Sequence, residues 1–139
     1  MECTVWVAEW QMECCGDPFR CGERVAWTVL VDAGVHAPDW LPDVLGELAV
    51  PVDAVEEHHG RGAVEPMVGT VVSIEAVSCR FAPGPGDGRT RVLVAGSGVT
   101  TDVALADGRT PPPSGTKLMG YLVRLTGAAR GEQAACRPR

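Results

Sequence analysis

Residues 4–12, Thr4-Val5-Trp6-Val7-Ala8-Glu9-Trp10-Gln11-Met12, put Trp6, Ala8, Trp10 and Met12 on one face of an extended chain and Glu9 and Gln11 on the other. Side chains alternate across a strand, so this pattern predicts a half-buried β-strand. Gly16-Asp17-Pro18 then forces a turn, and after Gly22 the residues Val25, Trp27, Val29 and Val31 again share a face. Aromatic and β-branched side chains favour a pleated surface. The two strands are expected to pair as an irregular hairpin whose loop carries Cys14, Cys15 and Cys21. The first 27 residues thus hold three of the four tryptophans and four of the six cysteines.

Working outward, a third strand is expected from Gly69, with Val72 and Ile74 on one face before the apolar set shifts to Val77, Cys79 and Phe81. A one-residue slip exchanges the faces of a strand, so the shift predicts a bulge or bend near Ala76 that helps a small sheet curl. Pro83-Gly84-Pro85-Gly86-Asp87-Gly88 reads as a loop, followed by strands over 91–95 and 99–105 and a turn at Asp107-Gly108. Pro111-Pro112-Pro113-Ser114-Gly115 is a stiff exposed connection. Residues 118–125 form the last strand, and from about Gly127 the chain reads as a tail.

Between the second and third strands the period changes. Asp39 can cap a helix holding Trp40, Leu41, Val44, Leu45 and Leu48 at helical spacing. A second short helix is predicted over 54–59, with Asp53 as its cap, Glu56 as a capping-box acid and Gly60 at its C-terminus. His58 and His59 would then sit in its last turn, where the helix dipole favours cations.

The 139 residues fit one domain, and 17 glycines with 11 prolines make it turn-rich rather than disordered. Lys117 is the single lysine beside 11 arginines, the coding bias of a GC-rich genome. Residues 1–60 carry 12 acids against Arg20 and Arg24, a net charge of −10, and residues 61–139 carry six acids and ten bases, a net charge of +4. That division argues against a uniformly basic nucleic-acid binder, and the second half offers few stacking aromatics beyond Phe81 and Tyr121. Met1-Glu2-Cys3-Thr4 is acidic where a secretory signal is basic, and no apolar run reaches the roughly 18 residues of a membrane span. A cytoplasmic protein off the membrane is expected, with its cysteines as thiols.

Cys14, Cys15, His58 and His59 are the residues whose chemistry could hold zinc, since thiolate and imidazole are its usual ligands. Their spacing lacks a Cys-x-x-Cys. The same residues could supply a thiol nucleophile with an imidazole partner. Against both stands the plainer reading, in which cysteines pack a loop and histidines end a helix. Trp10, Phe19 and Glu57 are the candidates for contacting a partner. No nucleophile elbow, phosphate-binding loop, dinucleotide fingerprint or His-Glu-x-x-His occurs.

Val5-Trp6-Val7, Trp10-Gln11-Met12, Cys14-Cys15-Gly16-Asp17-Pro18-Phe19, Gly22 to Trp27, Glu56-Glu57-His58-His59-Gly60, Gly69-Thr70-Val71 and Gly120-Tyr121-Leu122-Val123 together carry a likeness. The chain resembles a family of short uncharacterised proteins, a domain of unknown function, from GC-rich actinobacteria. Cys21 departs from that family's pattern, where an aliphatic residue is expected. The resemblance implies a shared single-domain architecture and supplies no catalytic residues. The chain is therefore expected to be a mainly β domain over 1–127, a small SH3-like or OB-like barrel of about five to seven strands. It carries a helical insertion at 39–59 and a tail at 128–139. Its expected role is a non-enzymatic binding module for a protein or small molecule, the alternative being a small zinc-binding or thiol-imidazole enzyme.

Overall fold

β1 (Cys3–Ala8) begins where the alternation predicts but stops early and is buried on both faces. Val5 and Val7 enter one apolar cluster and Trp6 another. This is a computed structural model, and it describes residues 2–14, 16–31, 38–57, 62–86 and 89–131. After β1 come α1 (Glu9–Cys14), β2 (Phe19–Arg20), β3 (Arg24–Leu30) and α2 (Trp40–Leu45), which runs into a 3-10 turn at Gly46–Leu48. The remaining strands are β4 (Ala54–Val55), β5 (Val64–Cys79), β6 (Phe81–Pro83), β7 (Arg91–Leu93), β8 (Val99–Val103), β9 (Leu105–Ala106) and β10 (Lys117–Arg130).

The architecture is mainly β, a curled half-barrel sheet, as the alternating short strands predict. The strand order is β3-β5-β10-β1-β4, with β8 pairing on β5 farther along; β2 with β9 and β6 with β7 form two small ribbons. The inner face of the curl packs Val5, Val7, Val29, Ile74, Tyr121, Val123 and Leu125 into the main core. α2 covers the outer face, where Leu41 and Leu45 pack on Trp6, Val77 and Leu122. The Trp6 and Trp40 rings meet edge to face at 5.7 Å.

Four sequence expectations are corrected here. First, the strand expected to reach Met12 turns into α1 at Glu9. The β1–β10 ladder ends at Ala8↔Gly120, and a strand without a partner leaves main-chain groups unbonded, whereas a helical turn bonds its own. Met12 is consequently buried under the barrel and Trp10 lies exposed on the helix.

Second, β1 and β3 do not form a hairpin. β1 pairs antiparallel with β10 and parallel with β4, while β3 pairs with β5. Alternation reports which face a side chain takes and not which strand lies alongside.

Third, residues 54–57 are extended rather than helical. Asp53 N–H donates to the Thr4 carbonyl at 2.8 Å and Glu56 N–H to the Trp6 carbonyl at 3.0 Å. The Asp53 carboxylate, expected as a helix cap, accepts from Thr4 N–H at 2.8 Å. His58 and His59, the end of that predicted helix, lie outside the described residues. The first helix is where the sequence puts it, although Asp39 makes no side-chain cap bond.

Fourth, β5 starts at Val64 rather than Gly69, and its change of phase falls at Val72 rather than near Ala76. Arg124 pairs with Ser73 and Leu125 with Val71, so Val72 is the extra residue of a bulge. From Ala76 to Cys79 both faces of β5 are buried, with Val77 packed under α2 on the outer one. A further irregularity sits on β10 at Met119, between Leu118↔Ser78 and Gly120↔Val77. β10 also continues past Gly127, with Ala128 and Ala129 buried.

Candidate functional site

The two outer strands of the curl, β3 and β4, meet at one place. Val29 and Glu56 form an isolated antiparallel bridge, and Glu57 N–H donates to the Thr28 carbonyl at 2.8 Å. The Thr28 hydroxyl donates to the Glu57 carbonyl. Toward the N-terminus of β3 the seam opens. There the gap between β3 and the segment α1–β2 is a groove of about 490 Å³.

Its floor is apolar, made by Met12, Phe19, Val25, Trp27 and Met67, all of which belong to the main core or pack on it. Phe19 and Trp27 meet edge to face at 5.0 Å. Asp17, Glu23, Arg24 and Glu56 line it as well, three carboxylates to one guanidinium. Gly16 N–H closes the end of α1 on the Gln11 carbonyl at 2.9 Å, which holds the 16–19 loop against the groove.

Behind the seam lies a buried polar cluster. Gln11 is 3% exposed, Glu56 5% and Glu57 6%. Gln11 Nε2 donates to the Glu56 carbonyl and to Glu57 Oε2, each at 3.2 Å. A buried carboxylate requires such donors, and here they tie α1 to the strand that closes the barrel. The segment before Cys14 and the segment before His58 therefore meet, and they do so at Gln11.

Of the residues singled out from sequence, Phe19 lines the groove and Glu57 lies in the polar cluster, while Trp10 is 46% exposed on α1. Cys14 and Cys21 are exposed; Cys15, His58 and His59 lie outside the described residues. Among the described residues no group of three or more His, Cys, Asp or Glu could hold a metal ion. Cys3 and Cys79 are buried thiols. Burial pushes the Cys3 thiol up, with Asp53 adding to the shift and Arg130 opposing it. Burial likewise raises Cys79, against the pull of Lys117. Arg24, Glu23 and Met67 were missed as groove residues, since only the open seam makes them neighbours.

No helix among the described residues is long and apolar enough to cross a membrane. The fold defines a small, mainly β half-barrel with a groove at its open seam and a helix on its outer face. The chain belongs to the family of unknown function DUF6578, whose description matches residues 1–127. No curated protein and no solved structure matches it.

Proposed function

We propose that this protein is a non-enzymatic binding module whose ligand site is the groove at the open seam. One observation carries the reading: aromatic and thioether side chains of the core, Trp27, Phe19, Met12 and Met67, line an open groove of about 490 Å³. Ligand sites are typically concave, apolar and edged by a few polar groups, and loops held on a rigid scaffold are where such groups gather. The test is a fragment screen read by NMR on the methyl groups of Met12 and Met67 and the indole of Trp27. Compounds that shift these three together support the reading. A screen in which no compound moves them refutes it.

A second reading, zinc held by Cys14, Cys15, His58 and His59, draws support from the contact of Gln11 with Glu56 and Glu57. That contact puts the helix ending at Cys14 beside the residues preceding His58. Elemental analysis of protein purified without a histidine tag decides it, and a zinc content well below one per chain removes it.

A further inference from the structure

The open seam exposes main chain as well as side chains, and the direction of that main chain follows from the bonds around it. Val31 N–H donates to the Ala63 carbonyl on the β5 side at 3.0 Å. On the opposite side, Thr28 O accepts from Glu57 N–H, and Leu30 O accepts from Arg130 Nη2 at 3.1 Å. The register of β3 on β5 is unbroken from Arg24↔Thr70 to Leu30↔Val64. Antiparallel ladders alternate, so odd-numbered residues of β3 bond β5 and even-numbered ones face the seam. Thr28 and Leu30 are satisfied there. The N–H and C=O groups of Ala26 and Arg24 face the groove with no main-chain or side-chain partner among the described residues.

An unpaired strand edge is a template for another strand. Ala26 is exposed and sits in the stretch of β3 that lines the groove. Five residues of strand span roughly 16 Å. A segment laid along Arg24 to Thr28 would pair its main chain with Ala26 and turn alternate side chains down onto Phe19 and Trp27. Its other side chains would face outward, toward the carboxylates of Asp17 and Glu23. Those acids outnumber Arg24, and they belong to the half of the chain that carries a net charge of −10.

We propose that the groove takes an extended, basic polypeptide segment as an added strand on the free edge of β3, with apolar side chains alternating with lysine or arginine. This rests on the groove being the ligand site, and it specifies the ligand. Main-chain pairing gives such recognition its affinity and the alternate pockets give it selectivity. Charge on the rim sets the approach and its dependence on salt.

The probe is the peptide acetyl-Lys-Val-Lys-Val-Lys-Val-Lys-amide, titrated into the full chain. With the peptide saturating, exchange of the Ala26 amide hydrogen is expected to slow at least about tenfold. Affinity is expected to fall on raising salt, and by about tenfold or more in Ala26→Pro, which deletes the outward N–H and leaves the ladder to β5 intact. A copy of the peptide N-methylated on alternate residues is expected not to bind. Because Ala26→Pro could unfold, the exchange and N-methyl measurements on the wild type stand by themselves.

Peptide binding without Ala26 protection overturns the proposal, as does equal binding of the N-methylated peptide or no binding at millimolar concentration. Ala26 protection that rises with protein concentration in the absence of peptide also overturns it, since the edge would then pair with a second copy of the chain. In each case fragments that still shift Trp27 leave the groove as a binding site, so the two readings fail separately.

Discussion

Replacing Gly120 by alanine tests the packing on which the half-barrel rests. Gly120 lies in β10 opposite Ala8, beneath the Trp6 indole on the face that α2 covers. A Cβ there would stand 2.5 Å from the Val7 carbonyl oxygen and 2.7 and 2.8 Å from two carbons of the Trp6 ring. Neither neighbour yields easily: the carbonyl belongs to β1, and the indole is held against Trp40 and the α2 leucines. Overpacking of a tight core costs about 1–3 kcal/mol, and two rigid contacts place this one at the upper end. Against it stands a gain of about 0.4–1 kcal/mol from the lower entropy of the unfolded chain.

The expected net loss is about 2–2.6 kcal/mol, a large part of the roughly 5–15 kcal/mol available to a domain. At about 3–4 °C per kcal/mol for a chain of this size, Tm falls by roughly 6–10 °C. Gly69→Ala is the internal control. The three atoms nearest its Cβ all belong to the buried Leu125 side chain, at 3.0, 3.1 and 3.5 Å. The closest, Leu125 Cβ, moves only with its backbone, but no carbonyl oxygen or ring is among them, so a loss of about 1 kcal/mol, the lower end of overpacking, is expected. Thermal and urea unfolding followed by circular dichroism give both numbers. A Gly120→Ala protein as stable as wild type, or less affected than Gly69→Ala, refutes the reasoning.

Three further outcomes follow from the same structure. In the folded protein iodoacetamide labels Cys14 and Cys21, whereas Cys3 and Cys79, buried with raised thiol pKa, react only after denaturation. Peptide mapping that finds Cys3 labelled as fast as Cys21 contradicts this. Arg130 pairs with Glu65 and donates to the Leu30 and Asp53 carbonyls at 3.1 and 3.4 Å, so Arg130→Ala costs about 2 kcal/mol in urea unfolding. Arg124→Ala costs less than about 0.5 kcal/mol, since its pair with Glu2, at 3.7 Å, is exposed on both sides. Equal losses for the two arginines refute that ranking. Burial raises the Glu9 carboxyl, Glu13 adds to the shift through a hydrogen bond and its charge, and Lys117 opposes it. The folded state then binds this proton more tightly than the unfolded one, so the group's contribution is fullest at low pH and is lost as pH rises through the raised pKa. Glu13→Gln should stabilise by about 0.2–0.5 kcal/mol at neutral pH and have no effect near pH 4; a benefit independent of pH excludes the coupling.

The groove was legible in part. Phe19 stands out in the sequence as a candidate contact residue and Gly16-Asp17-Pro18 as a turn signal; Phe19 belongs to the floor of the groove and the turn lines it. Glu57 stands out as well, but its burial and its bond to Gln11 have no local signature, because they depend on where β4 comes to rest. The open edge at Ala26 leaves no mark in the sequence: an alanine on a strand reads alike whether its main chain is paired or free.

By itself the sequence determined the β-rich class, the faces of β3, the helix at Trp40–Leu45 and the likeness to a family. Each of these is set by short-range periodicity, by turn chemistry or by side-chain polarity, and short range is what a single sequence records. Only the tertiary structure decided that β1 lies between β10 and β4 and that α1 replaces the end of the first strand. The same holds for residues 54–57, which are extended despite a capping pattern. In all three the deciding term is the pairing of main-chain donors and acceptors with segments far off in sequence. Asp53 shows the physical reason: its carboxylate has the same need for an N–H donor in either conformation, and the fold supplies one from Thr4 before a helix can.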